Sequence, residues 1–323
     1  MVWMTEAQAE AQAEAQAEAD DAMAITDQEA PSADTLQNMQ ARDIRLVALD
    51  IDGTLLAASE RISIRTLDAV QATQAAGVAV ALATSRRWVG AEPIAAQLGL
   101  DCALILYDGA VIRSYPGGEL LASDPLPAAL AQQAVERIAA CGLQVMAQYG
   151  DGDDPNAEYN VASENPPHPE WMARYFAEAR GGGGLVFAPV AALCVGRPDP
   201  LRVAAFAPFE RLQACADDLT SLGCGLQILP MGSYGVSELT LFSPTSSKGA
   251  ALAQLARRLD VPMAQTLAIG DGVNDIPMLR AAGIGVAMGH AAPQVRAAAH
   301  AVTAASSDDG VALALDRFVL RRP

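Results

Sequence analysis

Four short apolar runs constrain the fold more than any other feature, because each of them ends in a polar side chain. The runs are VALD, VALAT, LILYD and LAIGD, and they end at Asp50, Thr84, Asp108 and Asp271. Stretches with a helical pattern lie between the runs. This alternation predicts an α/β fold with a parallel sheet and crossover helices. In such a sheet, ligands bind beyond the carboxyl ends of the strands, so we expect the four side chains to meet at one edge.

The chain has 323 residues, which exceeds the usual size of one domain. From about residue 121 to 236 the strand candidates are short, and the segments GDGDDPN and GGGG interrupt them. Such a change of texture indicates an inserted second domain. We therefore expect a core built from two segments, 42–120 and 237–323, with the insertion 121–236 between them.

Residues 1–41 differ from the rest, because they contain nine acidic side chains and no basic one. Glutamates recur at every fourth position between residues 6 and 18, which would stack like charges on one face of a helix. We predict a disordered, acidic tail rich in alanine, glutamate and glutamine. An acidic arm that binds a partner and a translation start at Met23 or Met39 are the alternatives.

Charge and composition disfavour several classes of protein. The formal net charge is -17, which repels nucleic acid and anionic lipid. No segment approaches the roughly 18 consecutive apolar residues of a membrane helix, and the N-terminus lacks the basic start of a signal peptide. Five scattered cysteines without C-x-x-C spacing favour free thiols in a reducing compartment. We expect a cytoplasmic protein that binds neither nucleic acid nor a membrane, and its oligomeric state stays open.

Asp50 and Asp52 follow the first apolar run with one residue between them. If the strand continues through both, their side chains share a face about 6.6 Å apart. At an effective dielectric constant of about 20, their repulsion is about 2.5 kcal/mol. A cation between the carboxylates, or a proton held by one of them, would relieve that repulsion. The alternative is that both are solvated turn residues before Gly53.

A third acid, Asp271, ends its own strand in the segment GDGVNDIPML. Together with Asp50 and Asp108 it would form a pocket rich in oxygen atoms, which suits a hard divalent cation such as Mg²⁺. Asn274 and Asp275 follow before a predicted helix. Both are residue types that also cap helices, so the two roles can coexist.

Lys248 is the only lysine in the chain, and the other twenty basic residues are arginines. It follows serines that can cap a helix, in the segment SPTSSKGAALAQL. A cation in the first helical turn opposes the helix dipole, which favours anions there. An anion bound beside Lys248 would offset this mismatch. The alternative is an unremarkable surface lysine.

These motifs, taken in order, resemble the haloacid-dehalogenase-like (HAD) hydrolase superfamily. The resemblance rests on D-I-D-G-T at residues 50–54, on Thr84, on Lys248 and on G-D-G-V-N-D at 270–275. The long insertion after Thr84 and the segments LYDGAVI and GVAMGHAAPQV are similar to its Cof-type phosphatase branch. The resemblance covers nearly all of residues 44–318.

The resemblance implies a Rossmann-like core with an inserted α/β cap domain, and Mg²⁺-dependent phosphoryl transfer through an aspartyl-phosphate. Asp50 would then be the nucleophile and a metal ligand. Asp52 would act as the general acid and base and lend its backbone carbonyl to the metal. The remaining roles would be phosphate binding or metal binding. The phosphate ligands would be Thr84, Ser85, Arg86, Lys248 and Asn274, and the further metal ligands would be Asp271 and Asp275.

The implied function is a phosphatase, a phosphoric monoester hydrolase, acting on small phosphorylated metabolites. Sugar phosphates, other small phosphomonoesters, and flavin or pyridoxal phosphates all stay open as substrates. The loop 151–154, Tyr159 and Asn160 are candidates for contacts from the cap. A phosphomutase on the same scaffold, a receiver-like signalling protein and a non-hydrolytic binder of phospho-ligands are the alternatives.

Three residues depart from the pattern of the family. Ser85 replaces the glycine usual in T-G-R, and His290 occupies an asparagine position in M-G-N-A. Asp108 stands where asparagine is common, so it adds negative charge near the phosphate. We expect His290 to be a surface or helix-entry residue, and His168 and His300 to be structural.

Overall fold

The computed structural model describes residues 43–56, 61–150, 154–155, 158–163, 184–229 and 236–322. The predicted tail 1–41, His168 and most of the loop 151–154 lie outside these residues.

The described residues form fourteen strands and eight α-helices, whose order along the chain alternates in the first and last thirds. The strands are β1 (Leu46–Leu49), β2 (Ala79–Ala83), β3 (Ala103–Leu106), β4 (Val111–Ser114), β5 (Leu120–Ser123), β6 (Val145–Tyr149), β7 (Tyr159–Ser163), β8 (Leu185–Ala188), β9 (Arg202–Ala207), β10 (Gly225–Leu229), β11 (Ser237–Phe242), β12 (Thr266–Gly270), β13 (Ile284–Ala287) and β14 (Ala301–Val302). The α-helices are α1 (Ile64–Ala75), α2 (Trp88–Leu98), α3 (Ala128–Ala140), α4 (Phe209–Thr220), α5 (Lys248–Arg258), α6 (Ile276–Ala281), α7 (Pro293–Ala298) and α8 (Gly310–Leu315). Short 3₁₀ turns lie at Tyr107–Gly109, Val190–Ala192, Met263–Gln265, Val273–Asp275 and Ser306–Asp308, and a π-helical turn lies at Asp316–Leu320.

The core contains an eight-stranded sheet in the order β14-β13-β12-β1-β2-β3-β4-β5. The six strands from β14 to β3 run parallel, and β4 and β5 add an antiparallel edge. β1 lies inside the sheet, and all four of its residues, LVAL, are buried. Strands of a parallel sheet are covered on both faces, which is why they are apolar throughout.

Helices cover both faces of this sheet. One apolar cluster joins the sheet to α1, α2 and α8, and a second cluster joins its other face to α5, α6 and α7. Helix α1 begins after Ser63, whose hydroxyl accepts a hydrogen bond from the backbone N–H of Thr66. Helix α2 ends at Gly99, which has a φ of 64°. The predicted fold class, a Rossmann-like parallel core with an inserted α/β cap, is confirmed.

The cap contains a six-stranded sheet in the order β10-β11-β9-β6-β7-β8. Every pair in it is antiparallel except β7 with β8. Helices α3 and α4 pack on one face, where they share an apolar cluster with Val203 and Ala205 of β9. The neighbouring residues of each strand therefore point to the opposite face of the cap sheet.

The chain changes sheet close to the predicted domain limits of 121 and 237. β5 still pairs with β4 in the core sheet, although most of it lies beyond residue 120. β11 lies between β9 and β10 in the cap sheet, although it begins at residue 237. By sheet membership, the chain therefore leaves the core after Ser123 and returns to it after Phe242.

The expectation of free thiols is wrong for two of the five cysteines. Cys141 and Cys215 form a disulfide that links the end of α3 to α4. Their separation of 74 residues gives no sign of this pairing, because only the packing of α3 against α4 brings them together. Cys102, Cys194 and Cys224 are free.

None of the described helices has both the length and the apolar character that a bilayer crossing requires.

Candidate active site

Asp50 is the first residue after β1, at the carboxyl edge of the core sheet. Its backbone N–H donates to the carbonyl of Ile269 at 3.0 Å, which continues the pairing of β1 with β12. The residue is buried, with 5% of its surface exposed. The parallel ladder therefore places this carboxylate inside the protein, between the ends of neighbouring strands.

Lys248 begins helix α5 and is completely buried. Its position depends on Ser247, whose hydroxyl accepts from the backbone N–H of Ala250 at 3.0 Å and so caps the helix. The Lys248 Nζ atom donates to Asp50 Oδ1 and to Asp275 Oδ1, each at 2.7 Å. Two carboxylates of the protein therefore accompany Lys248, and the bound anion expected beside it stays a prediction.

Burial by itself would lower the pKa of Lys248, but the carboxylates of Asp275 and Asp50 outweigh it and raise that pKa. The lysine therefore carries a positive charge at neutral pH. Burial raises the pKa of Asp50 well above its ordinary value, and the charge of Asp275 adds to this effect, while Lys248 opposes it. A further cation near Asp50 would favour its ionised form.

Asp275 holds the loop after β12 in place. Its Oδ2 atom accepts from the backbone N–H of Asp271 at 2.9 Å and from that of Gly272 at 2.8 Å. The loop also needs a glycine at position 270, since a Cβ there would lie 2.5 Å from the Asp275 carboxyl carbon. Both oxygens of Asp275 are thus engaged, one with the loop and one with Lys248.

Asp271 is positioned by residues from two other loops. Thr54 donates from Oγ1 to Asp271 Oδ1 at 2.8 Å, and His290 Nε2 lies 3.5 Å from Asp271 Oδ2. Gly53 adopts a φ of 82°, and a Cβ at that position would collide with the Asp271 carboxylate. His290, expected only as a surface or helix-entry residue, therefore contacts the site. The motif D-G-T contained Thr54, but nothing in the sequence paired it with Asp271.

Carboxylate oxygens of Asp50, Asp271 and Asp275 lie within 4.8 Å of one another. Oxygen donors at this spacing can hold a divalent metal ion. Burial also raises the pKa of Asp271, as does the charge of Asp275, while the hydrogen bond from Thr54 lowers it. A metal ion would neutralise these crowded carboxylates, of which Asp50 and Asp275 are buried, so the donor set fits such an ion. Asp108, expected in this pocket, is not part of this group. The metal contact expected from Asp52 is through its backbone carbonyl, and it stays a prediction.

Asp52 does not share a strand with Asp50, because β1 ends at Leu49. The chain turns there, and the Asp52 side chain is 54% exposed. Its two oxygens accept from Arg86, at 2.8 Å from Nε and 2.6 Å from Nη2. The strand therefore does not continue through Asp50 and Asp52, which was the condition for their side chains to lie on one face of it. The turn holds Asp52 at the mouth of the site instead, paired with a cation.

Thr84 directly follows β2 and is completely buried. Its Oγ1 atom accepts from the backbone N–H of Arg86 at 3.1 Å, and its carbonyl accepts from the N–H of Asp108 at 3.0 Å. Ser85 is partly exposed between them. The segments that follow β2 and β3 are thus hydrogen-bonded to each other, beside the end of β1 that Asp50 follows.

Asp108 is buried and adopts a φ of 56°, and Tyr107 before it adopts a φ of 51°. Two successive non-glycine residues in the left-handed region are uncommon and strained. The Asn274 side chain donates from Nδ2 to Asp108 Oδ1 at 2.9 Å. Asp108, which takes the place of the usual asparagine, therefore binds directly to one of the predicted phosphate ligands.

The structure brings the four strand-end residues and Lys248 to one edge of the sheet, as the apolar runs predicted. For the two cap candidates Tyr159 and Asn160, the contacts that the structure gives lie within the cap. Asn160 is buried and accepts from Gln148 Nε2 at 3.1 Å, while the Tyr159 ring stacks on Tyr149 with 4.8 Å between centroids. His300 is structural as expected, since its Nδ1 accepts from the N–H of Gly285 at 2.9 Å.

Two cap residues near the core edge were not anticipated. Arg202 lies 3.8 Å from Asp108, measured from Nη1 to Oδ2. Glu158 is buried and accepts from the backbone N–H of Trp88 at 3.4 Å. No sequence signal identifies either residue, because their contacts depend on how the cap meets the core.

The family model that describes haloacid dehalogenase-like hydrolases matches residues 47–165 and 198–315. Among curated proteins, the chain is 30% identical over 256 residues to an HMP-PP phosphatase of Serratia proteamaculans, which covers 78% of this chain and 86% of the relative. It is 28% identical to phosphatase YwpJ of Bacillus subtilis, with 83% of this chain and 98% of the relative covered. It is also 28% identical to the pyridoxal phosphate phosphatase YbhA of Escherichia coli, over 83% of this chain and 96% of that protein.

Solved structures of other proteins also resemble this chain in fold. A haloacid dehalogenase-like hydrolase from B. subtilis aligns with a TM-score of 0.69 at 26% identity, covering 85% of this chain and all of that one. A HAD subclass IIB sugar phosphatase shows the same fold, with a TM-score of 0.66 at 22% identity over 85% of this chain and 98% of that one. The predicted family, with its Cof-type branch, and the predicted class of phosphoric monoester hydrolase are confirmed. The chain belongs to the haloacid dehalogenase-like hydrolase family.

Proposed function

We propose that this protein is a Mg²⁺-dependent phosphatase that hydrolyses small phosphomonoesters, sugar phosphates or similar metabolites, through an aspartyl-phosphate on Asp50. The observation that carries the proposal is the contact of Lys248 Nζ with Asp50 Oδ1 at 2.7 Å, beside the cluster of Asp50, Asp271 and Asp275. The phosphatase names of the curated relatives support the reaction class.

Asp50 must approach a phosphate dianion although it is an anion itself. The ammonium of Lys248 neutralises part of this repulsion, and it stays protonated because two carboxylates surround it. When bound at Asp50 and Asp271, with the backbone carbonyl of Asp52 and with Asp275 in support, Mg²⁺ supplies the remaining positive charge. Thr84, Ser85, Arg86, Lys248 and Asn274 hold the phosphoryl oxygens.

The reaction takes place in two steps. In the first, an oxygen of Asp50 forms a bond to phosphorus while the bond from phosphorus to the leaving oxygen breaks, and Asp52 gives a proton to that oxygen. In the second, water attacks the phosphorus, Asp52 takes a proton from it, and inorganic phosphate leaves Asp50. Asp52 lies at the exposed mouth of the site, where a leaving oxygen can be reached, and its carboxylate form accepts two hydrogen bonds from Arg86. To give a proton in the first step it must be protonated, so that step requires the pairing with Arg86 to be released.

A screen of small phosphomonoesters, with Mg²⁺ and with the metal chelated, tests the proposal by release of inorganic phosphate. We expect release only with the metal, and a loss of at least about a thousandfold in Asp50→Asn. Asp68→Asn is the matched control, since Asp68 is an exposed carboxylate on α1. Turnover by Asp50→Asn at the control rate would reject the nucleophile assignment.

The same assays separate the alternative reactions. A phosphomutase would need a bisphosphate and return the phosphoryl group to the substrate, so it would release little inorganic phosphate. A receiver-like protein would retain a phospho-aspartate for minutes, which acid-quenched, radiolabelled protein would reveal. Fast, continuous release of phosphate contradicts both.

A further inference from the structure

Arg202, the first residue of β9, places a cap cation at the edge of the candidate active site. It stands opposite Gln148 of β6, which in turn stands opposite Asn160 of β7. Its neighbour Val203 belongs to the apolar cluster under α3 and α4, so Arg202 points to the other face of the cap sheet. The residue is nevertheless buried, with 7% of its surface exposed.

The guanidinium of Arg202 contacts both domains. Its Nη1 lies 3.8 Å from Asp108 Oδ2, and its Cζ lies 5.2 Å from the centroid of the Tyr107 ring. Both of these residues belong to the core. On the cap side, Nη2 lies 3.6 Å from Glu238 Oε1, and Nε donates to Gln148 Oε1. One cation therefore faces two carboxylates.

Asp108 connects this cluster to the proposed phosphate site. It accepts from Asn274, and its N–H donates to the carbonyl of Thr84. The next residue, Gly109, packs so closely on the backbone between Ser247 and Lys248 that a Cβ there would collide with it. Through Asp108, Arg202 is thus one contact away from two of the proposed phosphate ligands, Asn274 and Thr84, and the residue after Asp108 packs against Lys248. A phosphoryl group bound by these ligands would lie in the core, and a leaving group that extends from it toward the cap would meet Arg202.

The local charges limit what such a leaving group can be. Arginine is always protonated, so the cluster of Arg202, Asp108 and Glu238 carries one positive charge against two acidic groups. A second anionic group on the substrate would meet this acidic excess in a buried setting, where charge repulsion is poorly screened. Hydroxyl groups can instead donate to the carboxylates and accept from the guanidinium, and a protonated amine can donate to the carboxylates.

We propose that Arg202 is a specificity-determining residue that binds the leaving group, and that Asp108 and Glu238 restrict this group to polar groups without a second negative charge. The inference rests on the proposed phosphatase function and narrows its substrate class. It also accounts for the aspartate at position 108, which a site that accepts dianionic leaving groups would not favour.

The test uses p-nitrophenyl phosphate as the reporter substrate and two competitors that differ in one group. Glucitol 6-phosphate ends in a hydroxymethyl group, and 6-phosphogluconate ends in a carboxylate. We expect the inhibition constant of wild type to be at least about tenfold lower for glucitol 6-phosphate than for 6-phosphogluconate. Asp108→Asn and Glu238→Gln should each reduce the ratio of these two constants by about threefold or more. Arg202→Met should raise the inhibition constant for glucitol 6-phosphate about tenfold.

Asp101→Asn is the matched control, since Asp101 is an exposed carboxylate at the opposite end of β3. It should leave the ratio unchanged. Equal inhibition of wild type by the two competitors overturns the inference, and so does a ratio that neither Asp108→Asn nor Glu238→Gln alters. Failure of wild type to hydrolyse p-nitrophenyl phosphate with Mg²⁺ present would instead contradict the proposed function itself.

Discussion

Two buried cations, Lys248 in the core and Arg202 in the cap, are held in different ways. Lys248 donates two hydrogen bonds of 2.7 Å, and both carboxylates belong to the core. Arg202 keeps its carboxylates at 3.8 and 3.6 Å, with Asp108 in the core and Glu238 in the cap. The lysine is thus fixed within one packed unit, while the arginine spans two sheets. We infer that the first position suits chemistry that needs fixed distances, and the second suits selection of a variable group.

The largest effect in this comparison is expected for Lys248→Met. Removal of the ammonium leaves Asp50 and Asp275 buried without their cation, which costs about 3–5 kcal/mol in the free energy of unfolding. Phosphatase activity should also fall by at least about a thousandfold. Urea unfolding and initial rates measure the two effects. Arg258→Met, at the exposed end of the same helix, is the control, and an equally stable Lys248→Met would contradict the contacts described.

The next effect separates activity from stability. Asp52→Asn should lower kcat about a hundredfold to ten-thousandfold, because it removes the proposed acid and base. Its free energy of unfolding should change by less than about 1 kcal/mol, since an exposed ion pair contributes little. Rates and urea unfolding of the same preparation test this. A variant with normal kcat would remove Asp52 from the mechanism.

A smaller effect is expected for Arg202→Met when it is assayed with the class of substrate proposed for the wild type. The KM for a phosphorylated polyol should rise about tenfold, while kcat stays within about threefold, because the arginine contacts the leaving group rather than the phosphoryl group. Steady-state kinetics separate the two constants. Arg202→Lys keeps the charge without the planar fork and should recover only part of the affinity. A fall in kcat alone would assign Arg202 to positioning rather than selection.

The smallest effect concerns Glu158, another cap residue that contacts the core. Burial raises the pKa of Glu158 above its ordinary value of 4.5, although the charge of Arg87 opposes this. As pH rises from 4.5 toward the raised pKa of Glu158 in the native state, the unfolded chain loses a proton that the native state still holds. The free energy of unfolding therefore falls in this window. Glu158→Gln should remove this slope from the free energy of unfolding in that window. The exposed Glu119→Gln should keep it, and parallel slopes for all three proteins would contradict the assignment.

Much of the core could be predicted from the sequence, because its signals are local. Apolar runs that end in polar residues marked β1, β2, β3 and β12, and helices predicted between these runs include Ile64–Ala75 and Trp88–Leu98. The order of these elements was enough to predict that their carboxyl ends meet. The end of β1 was less certain, since Ile51 looks like a continuation of the strand while Gly53 requires a turn at a φ of 82°.

In the cap, the decisive contacts could not be predicted from the sequence. Its strands and helices were largely recognisable, but no local signal indicated that Cys141 pairs with Cys215 or that Arg202 lies near Asp108. These pairs join residues 74 and 94 positions apart, and no periodicity reports on such distances. His290 beside Asp271 is a similar case within the core.

The sequence by itself determined the alternation of strands and helices, the family and the group of polar residues at the strand ends, because hydrophobic period and motif order are properties of neighbours along the chain. Only the tertiary structure decided that Asp275 binds both Lys248 and its own loop, that Asp52 turns outward to Arg86, and that Arg202 approaches from the cap. The physical reason is that a buried charge takes whichever partner the packing of distant segments brings within reach.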